Sequence, residues 1–461
     1  MRQLIAVSLL LEIALTACAQ DIERISDQKI HQPSPMPDRI VLTWRKDPAR
    51  SQAVTWRTDA SVGKAQAEFA PAEAGPGFAL KAKAVSAFTT PLKTDLSEAH
   101  YHTAHFEDLT PKTKYAYRVG DGVHWSEWNH FQTASAKPEP FAFVYFGDAQ
   151  HDIRSQWSRV MREAYAAAPQ ARFSIHAGDL INIANRDAEW GEWFQASGWI
   201  NRTVPVVPTP GNHELTGDAK GNFVLAPHWK AQFALPDHGP AGLESSVYYL
   251  DYQGVRIVSL NTNEKRAEQA VWLERVLSDN PNRWTILTFH HPILSAAEGR
   301  DNPELRKLWQ PVFDKHRVDL VLQGHDHSYG RTGLEGFGNS RGGTVYVVSV
   351  SGPMLYRVDP EGRMKRWGQG KQLFQVIHID GDRLSYEART ATGELYDSFE
   401  LKKQAAGMPN LLTDGPSAPA SRQKPNAEPW NWPPIAAIGG LVAILIAISV
   451  IRRARRTLPP K

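Results

Sequence analysis

The chain has 461 residues, of which 42% are apolar and 22% are charged, and its formal net charge is +3. This composition is that of a globular protein, and the length exceeds one ordinary domain, which excludes a fibrous or wholly disordered chain. Cys18 is the single cysteine, which excludes an intramolecular disulfide and any site built from several thiolates.

Residues 1–19 have the pattern of an export signal. One early arginine is followed by an apolar stretch that runs to Leu15 and is interrupted by Glu12. The sequence Leu15-Thr16-Ala17-Cys18 resembles a bacterial lipobox, in which the cysteine becomes the lipidated amino terminus. Ala17-Cys18-Ala19 also fits an ordinary small-residue cleavage site after Ala19. Both forms of processing predict export, and the first adds a lipid anchor at Cys18.

Residues 37–137 are predicted to form an all-β domain. Residues 40–44 and 53–58 alternate apolar and polar side chains with period two, as strands with one buried face do. Residues 109–119 resemble the tyrosine-corner region of fibronectin type III sandwiches. We therefore expect a fibronectin type III-like sandwich, with a core that includes Trp44, Trp56 and Tyr115.

Residues 138–402 contain five short polar motifs, and each follows an apolar, β-rich run typical of a buried strand. These runs cover residues 141–146, 173–177, 203–207, 284–289 and 318–322, and a helical pattern covers residues 268–277. The motifs are Gly147-Asp148-Ala149-Gln150-His151, Gly178-Asp179-Leu180-Ile181-Asn182, Gly211-Asn212-His213-Glu214, His290-His291-Pro292 and Gly324-His325-Asp326-His327. In open α/β sheets the carboxyl ends of strands build the site, so these motifs are predicted to converge.

The motifs combine carboxylates, an amide and imidazoles, the donor mixture that holds two adjacent metal ions. Two cations roughly 3.5–4 Å apart can polarise a phosphoryl oxygen and lower the pKa of bound water to about 7. Hydroxide produced in this way replaces a side-chain nucleophile. The glycines allow sharp turns beside the ions, where a Cβ would crowd. The sequence thus predicts a binuclear metallohydrolase.

The order and content of the motifs resemble those of the purple acid phosphatases, a branch of the calcineurin-like metallophosphoesterases. The resemblance spans about residues 37–402 and implies a four-layer α/β (α+β) sandwich after the fibronectin-like domain. It also implies two metal ions, either iron with zinc or manganese, or two divalent ions. The resemblance implies that Asp179 bridges the two ions. It implies that Asp148 and His327 bind the first ion, and that Asn212, His290 and His325 bind the second.

Two positions depart from the family pattern. Asn182 replaces the tyrosine whose charge transfer to iron colours the family, and Gln150, followed by His151, replaces the final glycine of the first motif. These three side chains either offer further ligands to the first ion or hydrogen-bond its water and Asp148; the sequence leaves both roles open. It predicts that the protein lacks the violet tyrosinate band even with iron bound.

Three residues beside the ligands are further candidates. His213 follows Asn212 and is placed to protonate the leaving alkoxide as a general acid; the alternative is a hydrogen-bonding role behind the ligands. His291 either contacts the substrate phosphate or packs behind His290. Tyr329 follows the last motif and is a candidate substrate contact in the pocket.

The distal part of this domain and the segment after it complete the predicted soluble portion. Residues 343–350 and 374–379 are predicted strands of a second sheet. Residues 403–430 are rich in Pro, Ala, Ser, Gly and Gln, which predicts a flexible linker.

Residues 435–451 form an uncharged apolar stretch, with Trp430 and Trp432 before it and a basic segment, residues 452–461, after it. This pattern predicts a single transmembrane helix with a cytoplasmic tail. A buried core helix and a processed sorting tail are the alternatives. The tail carries five cations, so the net charge of the rest falls by five, from +3 to −2. The basic excess therefore belongs to the anchor, and no nucleic-acid-binding patch is evident.

The predicted function is an exported, membrane-anchored phosphohydrolase that releases phosphate from monoesters at the periplasmic or extracellular face of a bacterial membrane. A phosphodiesterase acting on nucleotides, lipids or polymers is the first alternative, because this type of metal core serves both reactions. A non-catalytic surface protein that binds through its sandwich domain is the second.

Overall fold

The computed structural model describes residues 25–336, 343–405 and 408–417. The predicted export signal with Cys18, the transmembrane helix at residues 435–451 and the tail at residues 452–461 all lie outside these ranges. Among the helices of the described residues, none is long and apolar enough to cross a membrane.

The amino-terminal domain consists of two four-stranded antiparallel sheets. Its strands are β1 Asp38–Thr43, β2 Gln52–Asp59, β3 Gln66–Pro71, β4 Lys83–Ser86, β5 Phe88–Lys93, β6 Glu98–Phe106, β7 Lys114–Gly120 and β8 Asn129–Gln132. One sheet has the order β1-β2-β6-β5 and the other β4-β3-β7-β8. The predicted β-sandwich is therefore confirmed.

The core of this sandwich is formed by the alternating inward side chains of both sheets. Trp56 and Tyr115 lie in it, as predicted. The Tyr115 hydroxyl accepts the backbone N–H of Thr110 at 2.9 Å, which is the tyrosine-corner hydrogen bond. Trp44 instead packs beyond the sandwich, with its ring 5.7 Å from Phe173 and 5.5 Å from Tyr252 of the following domain.

The helices of the described residues are α1 Asp27–Ile30, α2 Ser158–Ala167, α3 Asp187–Ser197, α4 Pro227–Gln232, α5 Arg266–Ser278 and α6 Pro303–His316. Helix α5 matches the pattern predicted at residues 268–277. Short 3₁₀ turns cover Pro76–Lys81, Ile200–Arg202 and Asn212–Glu214, and a π-helical turn covers Ile153–Trp157.

Two seven-stranded sheets form the second domain. Its strands are β9 Phe141–Phe146, β10 Ser174–His176, β11 Val206–Pro208, β12 Leu215–Gly217, β13 Phe223–Leu225, β14 Tyr248–Tyr252, β15 Val255–Ser259, β16 Trp284–Phe289, β17 Leu320–Gln323, β18 Tyr329–Arg331, β19 Val345–Val348, β20 Arg366–Gly368, β21 Leu373–Asp380, β22 Arg383–Thr390, β23 Leu395–Lys402 and β24 Leu411–Asp414. The first sheet has the order β11-β10-β9-β21-β22-β23-β24, and the second β14-β15-β16-β17-β19-β18-β20. Strands β12 and β13 form a separate hairpin.

Successive side chains of the second sheet point to opposite faces, and this alternation shows which layer covers each face. Ile257 and Ile286 of the second sheet share a core with residues of the first sheet and with α2 and α3. The neighbouring Val258 and Leu287 face the other way, into a core with Trp272 of α5 and with α6. The order of layers is helix, sheet, sheet, helix, so the predicted α/β metallophosphoesterase-type sandwich is confirmed.

Two of the sequence-based assignments need correction. Residues 374–379 lie in β21, which pairs antiparallel with β9 of the first sheet, whereas they were predicted in the second sheet. Residues 403–405 and 408–417, which fall within the predicted linker, include a strand: β24 extends the first sheet along β23, and Asp414 pairs with Arg331 at 3.0 Å. Backbone pairing and a few ionic anchors hold this edge strand, so its polar composition was misleading.

An ionic cluster joins the two domains. Asp187, at the start of α3, is fully buried and accepts both terminal nitrogens of Arg39 at 2.6 and 2.8 Å. Nη1 of Arg57 lies 3.3 Å from the same carboxylate, and Nε2 of His228 lies 3.5 Å away. Because a buried charge is stable only when it is paired, this cluster fixes the sandwich domain against α3.

Candidate metal centre

The five motifs meet at the carboxyl ends of five strands. Strands β9, β10 and β11 are parallel neighbours in the first sheet, and β16 and β17 are parallel neighbours in the second. Backbone bonds tie the following loops together: Gly324 N–H donates to His290 O at 3.0 Å, and Ala149 N–H donates to Asp179 O at 3.0 Å. The predicted convergence is therefore present, and it combines two sheets rather than one.

Glycines make this close approach possible. A Cβ at Gly324 would clash with Oδ1 of Asp148, and one at Gly211 would clash with Oδ1 of Asp179. A Cβ at Gly178 would come within 2.6 Å of Nδ1 of His290. The chain at these glycines therefore packs directly against the polar side chains, which leaves no room for a side chain of its own.

Several candidate ligands have unusual backbone conformations. Asp179, His325 and His327 have φ values of 50°, 72° and 46°, and His151 has a φ of 65°. Non-glycine residues adopt this left-handed region at a cost, and such residues cluster at functional sites. Here the conformations turn neighbouring side chains into one small volume.

The first cluster contains Asp148, Asp179 and His327, all buried, with one candidate ligand atom from each lying within 4.8 Å of the others. Nε2 of His327 lies 3.0 Å from Oδ2 of Asp148. Its Nδ1 donates to Met354 O at 3.0 Å, which points Nε2 into the cluster. Gln150 belongs to this cluster, with Nε2 2.8 Å from Nε2 of His327.

The amide oxygen of Gln150 is buried and has no hydrogen-bond partner among the described residues. Amide oxygen and nitrogen are exchangeable by a flip of the side chain. A flipped Gln150 would direct its amide oxygen at the first cluster, where that oxygen would coordinate a cation. In its present orientation the Gln150 amide nitrogen also donates to Oδ2 of Asp179 at 3.4 Å, so the geometry is compatible with a hydrogen-bonding role and, after the flip, with an oxygen ligand.

The second cluster contains His290, His291 and His325. Nε2 of His290 lies 3.1 Å from Nδ1 of His325 and 3.1 Å from Oδ1 of Asn212. It also lies 3.0 Å from Oδ2 of Asp179, so Asp179 touches both clusters, as a bridging ligand must.

The carboxylates and imidazoles of the two clusters shift one another's pKa values. Burial raises the pKa of Asp148, but His327, His290 and the His325 amide outweigh it and hold that pKa at about 2. Burial lowers the pKa of His290, whereas Asp179 and Asp148 raise it to about 9. Burial and the neighbouring His290 lower the pKa of His325 to about 3. The ionised carboxylates thus favour positive charge on His290, and that charge in turn disfavours a proton on His325.

The donor set fits metal ions better than protons. Nδ1 of His290 donates to Ala177 O at 2.9 Å, so its Nε2 is the atom that faces the second cluster. A proton on this nitrogen can bond to one neighbour at a time, whereas a metal ion would satisfy the imidazole, amide and carboxylate atoms together. The two clusters agree with the predicted pair of metal ions.

His213 lies at the rim, and the structure brings Asn182 to it in an unexpected way. Nδ1 of His213 donates to the backbone carbonyl of Asn182 at 2.6 Å, and Nε2 lies 4.0 Å from Oδ2 of Asp179. One third of the His213 side chain is exposed, which a proton donor to substrate requires. The contact of Asn182 is made by its backbone, and His151 is half-buried nearby.

The structure does not bring Tyr329 into the site. Its side chain is buried, and its hydroxyl donates to Asp397 at 2.7 Å within the first sheet's network. The predicted substrate contact is therefore replaced by a role in the fold. His291, by contrast, lies in the second cluster, with Nδ1 2.7 Å from Oγ1 of Thr262.

Two further residues at the site belong to none of the sequence motifs. The Tyr356 ring stacks on His327 with a centroid separation of 4.4 Å and an interplanar angle of 9°. Arg300 lies 4.7 Å from the Tyr356 ring centroid and donates from Nη1 to His325 O at 3.0 Å. Both residues lie in loops outside any motif, so only the tertiary structure reveals them.

Comparison with known proteins agrees with this geometry. Residues 37–133 match the model of the purple acid phosphatase N-terminal domain, and residues 141–329 match that of the calcineurin-like phosphoesterases. An uncharacterised protein of Mycobacterium tuberculosis is 27% identical over 331 residues, which cover 63% of this chain and 61% of that protein. The chain thus spans about three-fifths of the length of this relative.

Two further proteins are similar. Human acid phosphatase type 7 is 27% identical over 335 residues, covering 65% of this chain and 71% of the relative. The structure of purple acid phosphatase PPD1 from yellow lupin seeds superposes with a TM-score of 0.69 at 21% identity, covering 80% of this chain and 75% of that one. The two domain matches and the converged motifs show that the chain belongs to the purple acid phosphatase-like branch of the calcineurin-like metallophosphoesterases.

Proposed function

We propose that this protein is a binuclear metal-dependent phosphohydrolase that releases phosphate from monoesters. The observation that carries the proposal is the position of Asp179, which touches both ligand clusters while the exposed imidazole of His213 lies beside it. When bound, two such ions would polarise the phosphoryl group and acidify the attacking water.

The chain's own residues divide the remaining tasks. The first ion would be held by Asp148, Gln150 and His327. The second would be held by Asn212, His290, His291 and His325, and Asp179 would be shared by both. His213 would hold a proton on Nε2 and pass it to the leaving oxygen, while Asn182 O keeps its Nδ1 proton in place. Arg300, whose side chain is one third exposed, would attract the substrate's negative charge to the rim.

The decisive experiment combines metal analysis with two substrates. The full chain would be purified, its metals counted, and its turnover of p-nitrophenyl phosphate compared with that of bis-p-nitrophenyl phosphate. Two metals per chain and preference for the monoester are expected. Preference for the diester would establish the phosphodiesterase alternative.

Two variants complete that experiment, with phenyl phosphate added as a monoester whose leaving group needs a proton. Asp179→Ala should lose metal, and His213→Ala should retain metal but lose activity, most of all on phenyl phosphate. A chain that binds no metal and turns over neither ester, after reconstitution with iron, zinc and manganese, would leave a surface binding protein as the function.

We further propose that the protein is exported and anchored by residues 435–451, with its catalytic domain outside the cytoplasm. The supporting features are the signal-like residues 1–19, the tryptophans before the apolar stretch and the basic residues 452–461. Protease accessibility of the catalytic domain in intact cells, together with its partition into the membrane fraction, tests this topology. Metabolic labelling with a fatty acid, in the presence and absence of Cys18→Ala, tests the lipid anchor.

A further inference from the structure

The turn between β10 and α3 is anchored by Glu214 at Asp179 and Leu180, and by a second carboxylate further along. Glu189, in the first turn of α3, accepts the backbone N–H of Asn182 at 2.6 Å and that of Ile183 at 3.0 Å, both on its Oε2. The Glu189 side chain is only 12% exposed. Charge-assisted bonds of this kind are stronger than neutral ones, so the turn is firmly anchored.

The same turn contacts the candidate proton donor. The carbonyl of Asn182, which accepts Nδ1–H of His213 at 2.6 Å, belongs to the same peptide unit as the N–H of Ile183. A peptide unit is planar, and its N–H and C=O point in opposite directions. By holding the Ile183 N–H, Glu189 therefore fixes the direction in which the Asn182 carbonyl points.

The carboxylate itself stands on a rigid base. Asp187, two residues earlier in α3, is fully buried in the ionic cluster with Arg39 and Arg57 of the sandwich domain. Its backbone N–H also donates to Oδ1 of Asp95 at 2.9 Å. The first turn of α3 is thus held on two sides by contacts that do not involve the Asn182–Ile183 turn.

We propose that Glu189 is a positioning residue for His213. It acts through the Asn182–Ile183 peptide, which holds one proton of His213 on Nδ1, so that the second, transferable proton of the imidazolium is on Nε2 and faces the reacting centre. The inference rests on the proposed function, in which His213 protonates the leaving group.

The kinetic test uses two monoesters that differ in their need for a proton. p-Nitrophenolate leaves readily as an anion, whereas the phenolate of phenyl phosphate benefits more from general-acid help. A misplacement of about 1 Å can cost about a hundredfold in rate. Glu189→Ala should therefore lower kcat for phenyl phosphate about tenfold or more, and that for p-nitrophenyl phosphate much less. His213→Ala should show the same selective loss.

Two control variants separate positioning from general damage. Arg186→Ala removes the half-exposed ion pair to Oε1 of Glu189 at 3.4 Å and leaves the Oε2 bonds to the turn, so it should keep wild-type kinetics. Glu189→Gln retains an oxygen acceptor and should recover part of the selective loss.

A double-mutant cycle identifies the partner. If Glu189 acts through His213, Glu189→Ala should add no further loss in the His213→Ala background. Equal losses on both esters, or losses that add in the double variant, would overturn the inference while leaving the proposed function intact. Absence of turnover by the wild-type protein on either ester would instead overturn the proposed function, and the inference with it.

A spectroscopic test does not depend on activity. Nitrogen–proton correlation spectra of the full chain with isotope-labelled histidine report the tautomer of each ring, and the His213 signal is assigned by its loss in His213→Ala. At a pH where the ring is neutral and Nε2 has given up its transferable proton, the Nδ1–H tautomer is expected in the wild-type and Arg186→Ala proteins and a mixture of tautomers in Glu189→Ala. An unchanged His213 signal in a folded Glu189→Ala protein would contradict the positioning role.

Discussion

His213 and Asp179 are joined at two points. The backbone N–H of His213 donates to Oδ1 of Asp179 at 2.9 Å, and Nε2 of its ring lies 4.0 Å from Oδ2 of the same carboxylate. The position of the proposed proton donor is therefore fixed relative to the proposed bridging ligand, and a shift of either residue would disturb the other.

We expect His213→Ala to lower kcat for phenyl phosphate, whose leaving group needs a proton, about a hundred- to ten-thousand-fold, the usual range for loss of a general acid. Metal content should remain at the wild-type value, because the ring lies outside both ligand clusters. Steady-state kinetics and elemental analysis of the same preparation check this. Metal loss in parallel with activity would mean that His213 is a ligand.

Gly324→Ala should reduce both metal content and thermal stability. The new Cβ would clash with Oδ1 of Asp148 and lie 3.2 Å from Nδ1 of His290, so the ligands must move. Overpacking of this kind typically costs about 1–3 kcal/mol. Gly63→Ala is the control, because a Cβ there meets nothing within 4 Å. Elemental analysis and thermal unfolding of both variants would show whether only Gly324 is constrained.

Arg39→Ala should destabilise the protein by about 3–5 kcal/mol, because it leaves the buried Asp187 without its main partner. The comparison is Arg45→Ala, which removes the exposed pair with Asp237, whose side chains are 45% and 58% accessible. That change should cost less than about 1 kcal/mol. Urea unfolding of the two variants measures both values, and equal costs would show that the cluster at Asp187 does not secure the domains.

Acid should destabilise the sandwich domain through His102. This buried ring lies 2.7 Å from Oγ1 of Thr58 and 3.0 Å from Oγ1 of Thr89, and burial, aided by His100, lowers its pKa to about 4. Since the unfolded pKa is about 6.5, the contribution to stability is complete above that pH and is lost as the pH falls towards about 4.

His102→Gln removes this titration while keeping a side chain that can hydrogen-bond. The variant should therefore lose less stability than the wild-type protein between neutral pH and about pH 5. Chemical unfolding at both pH values measures the difference. An identical loss in the two proteins would assign the acid sensitivity to other groups.

Iron-loaded protein should lack an intense visible absorption band. Asn182 stands where the family has its tyrosine, and the nearby Tyr356 stacks its ring on His327 with its hydroxyl 3.8 Å from the sulfur of Met354. Neither residue offers a phenolate oxygen to the first cluster. The visible spectrum before and after chelation checks this, and a strong band that disappears with the metal would contradict it.

The motifs could be predicted from the sequence because each one consists of a short apolar strand followed directly by its polar side chains. Strands β9 and β16 have the predicted bounds, and the side chains that follow them converge because parallel strands share an edge. The pairing of β21 with β9 was not readable, since a buried apolar run does not state its partner. The fold of β24 was missed because backbone bonds and the Asp414–Arg331 pair leave little compositional signal.

The contacts around the ligands were also beyond the sequence. Tyr356 reaches His327 across a loop, and Glu189 reaches Asn182 from a helix. Tyr329 shows the opposite error, because its nearness in sequence to His327 suggested a role in the pocket that its buried hydroxyl does not have. Tyr329 is only two residues from His327 in the sequence, yet its hydroxyl points away from the ligand clusters and into the fold.

The placement of Trp44 has a practical consequence for dissecting this protein. Its ring belongs to the sandwich by sequence but packs against the paired rings of Phe173 and Tyr252 in the neighbouring domain. A fragment that begins at residue 138 would lack the Trp44 ring, so the apolar surface of the catalytic domain that this ring covers would be exposed. An isolated catalytic fragment would be prone to aggregate during expression, even though the boundary looks clean in the sequence.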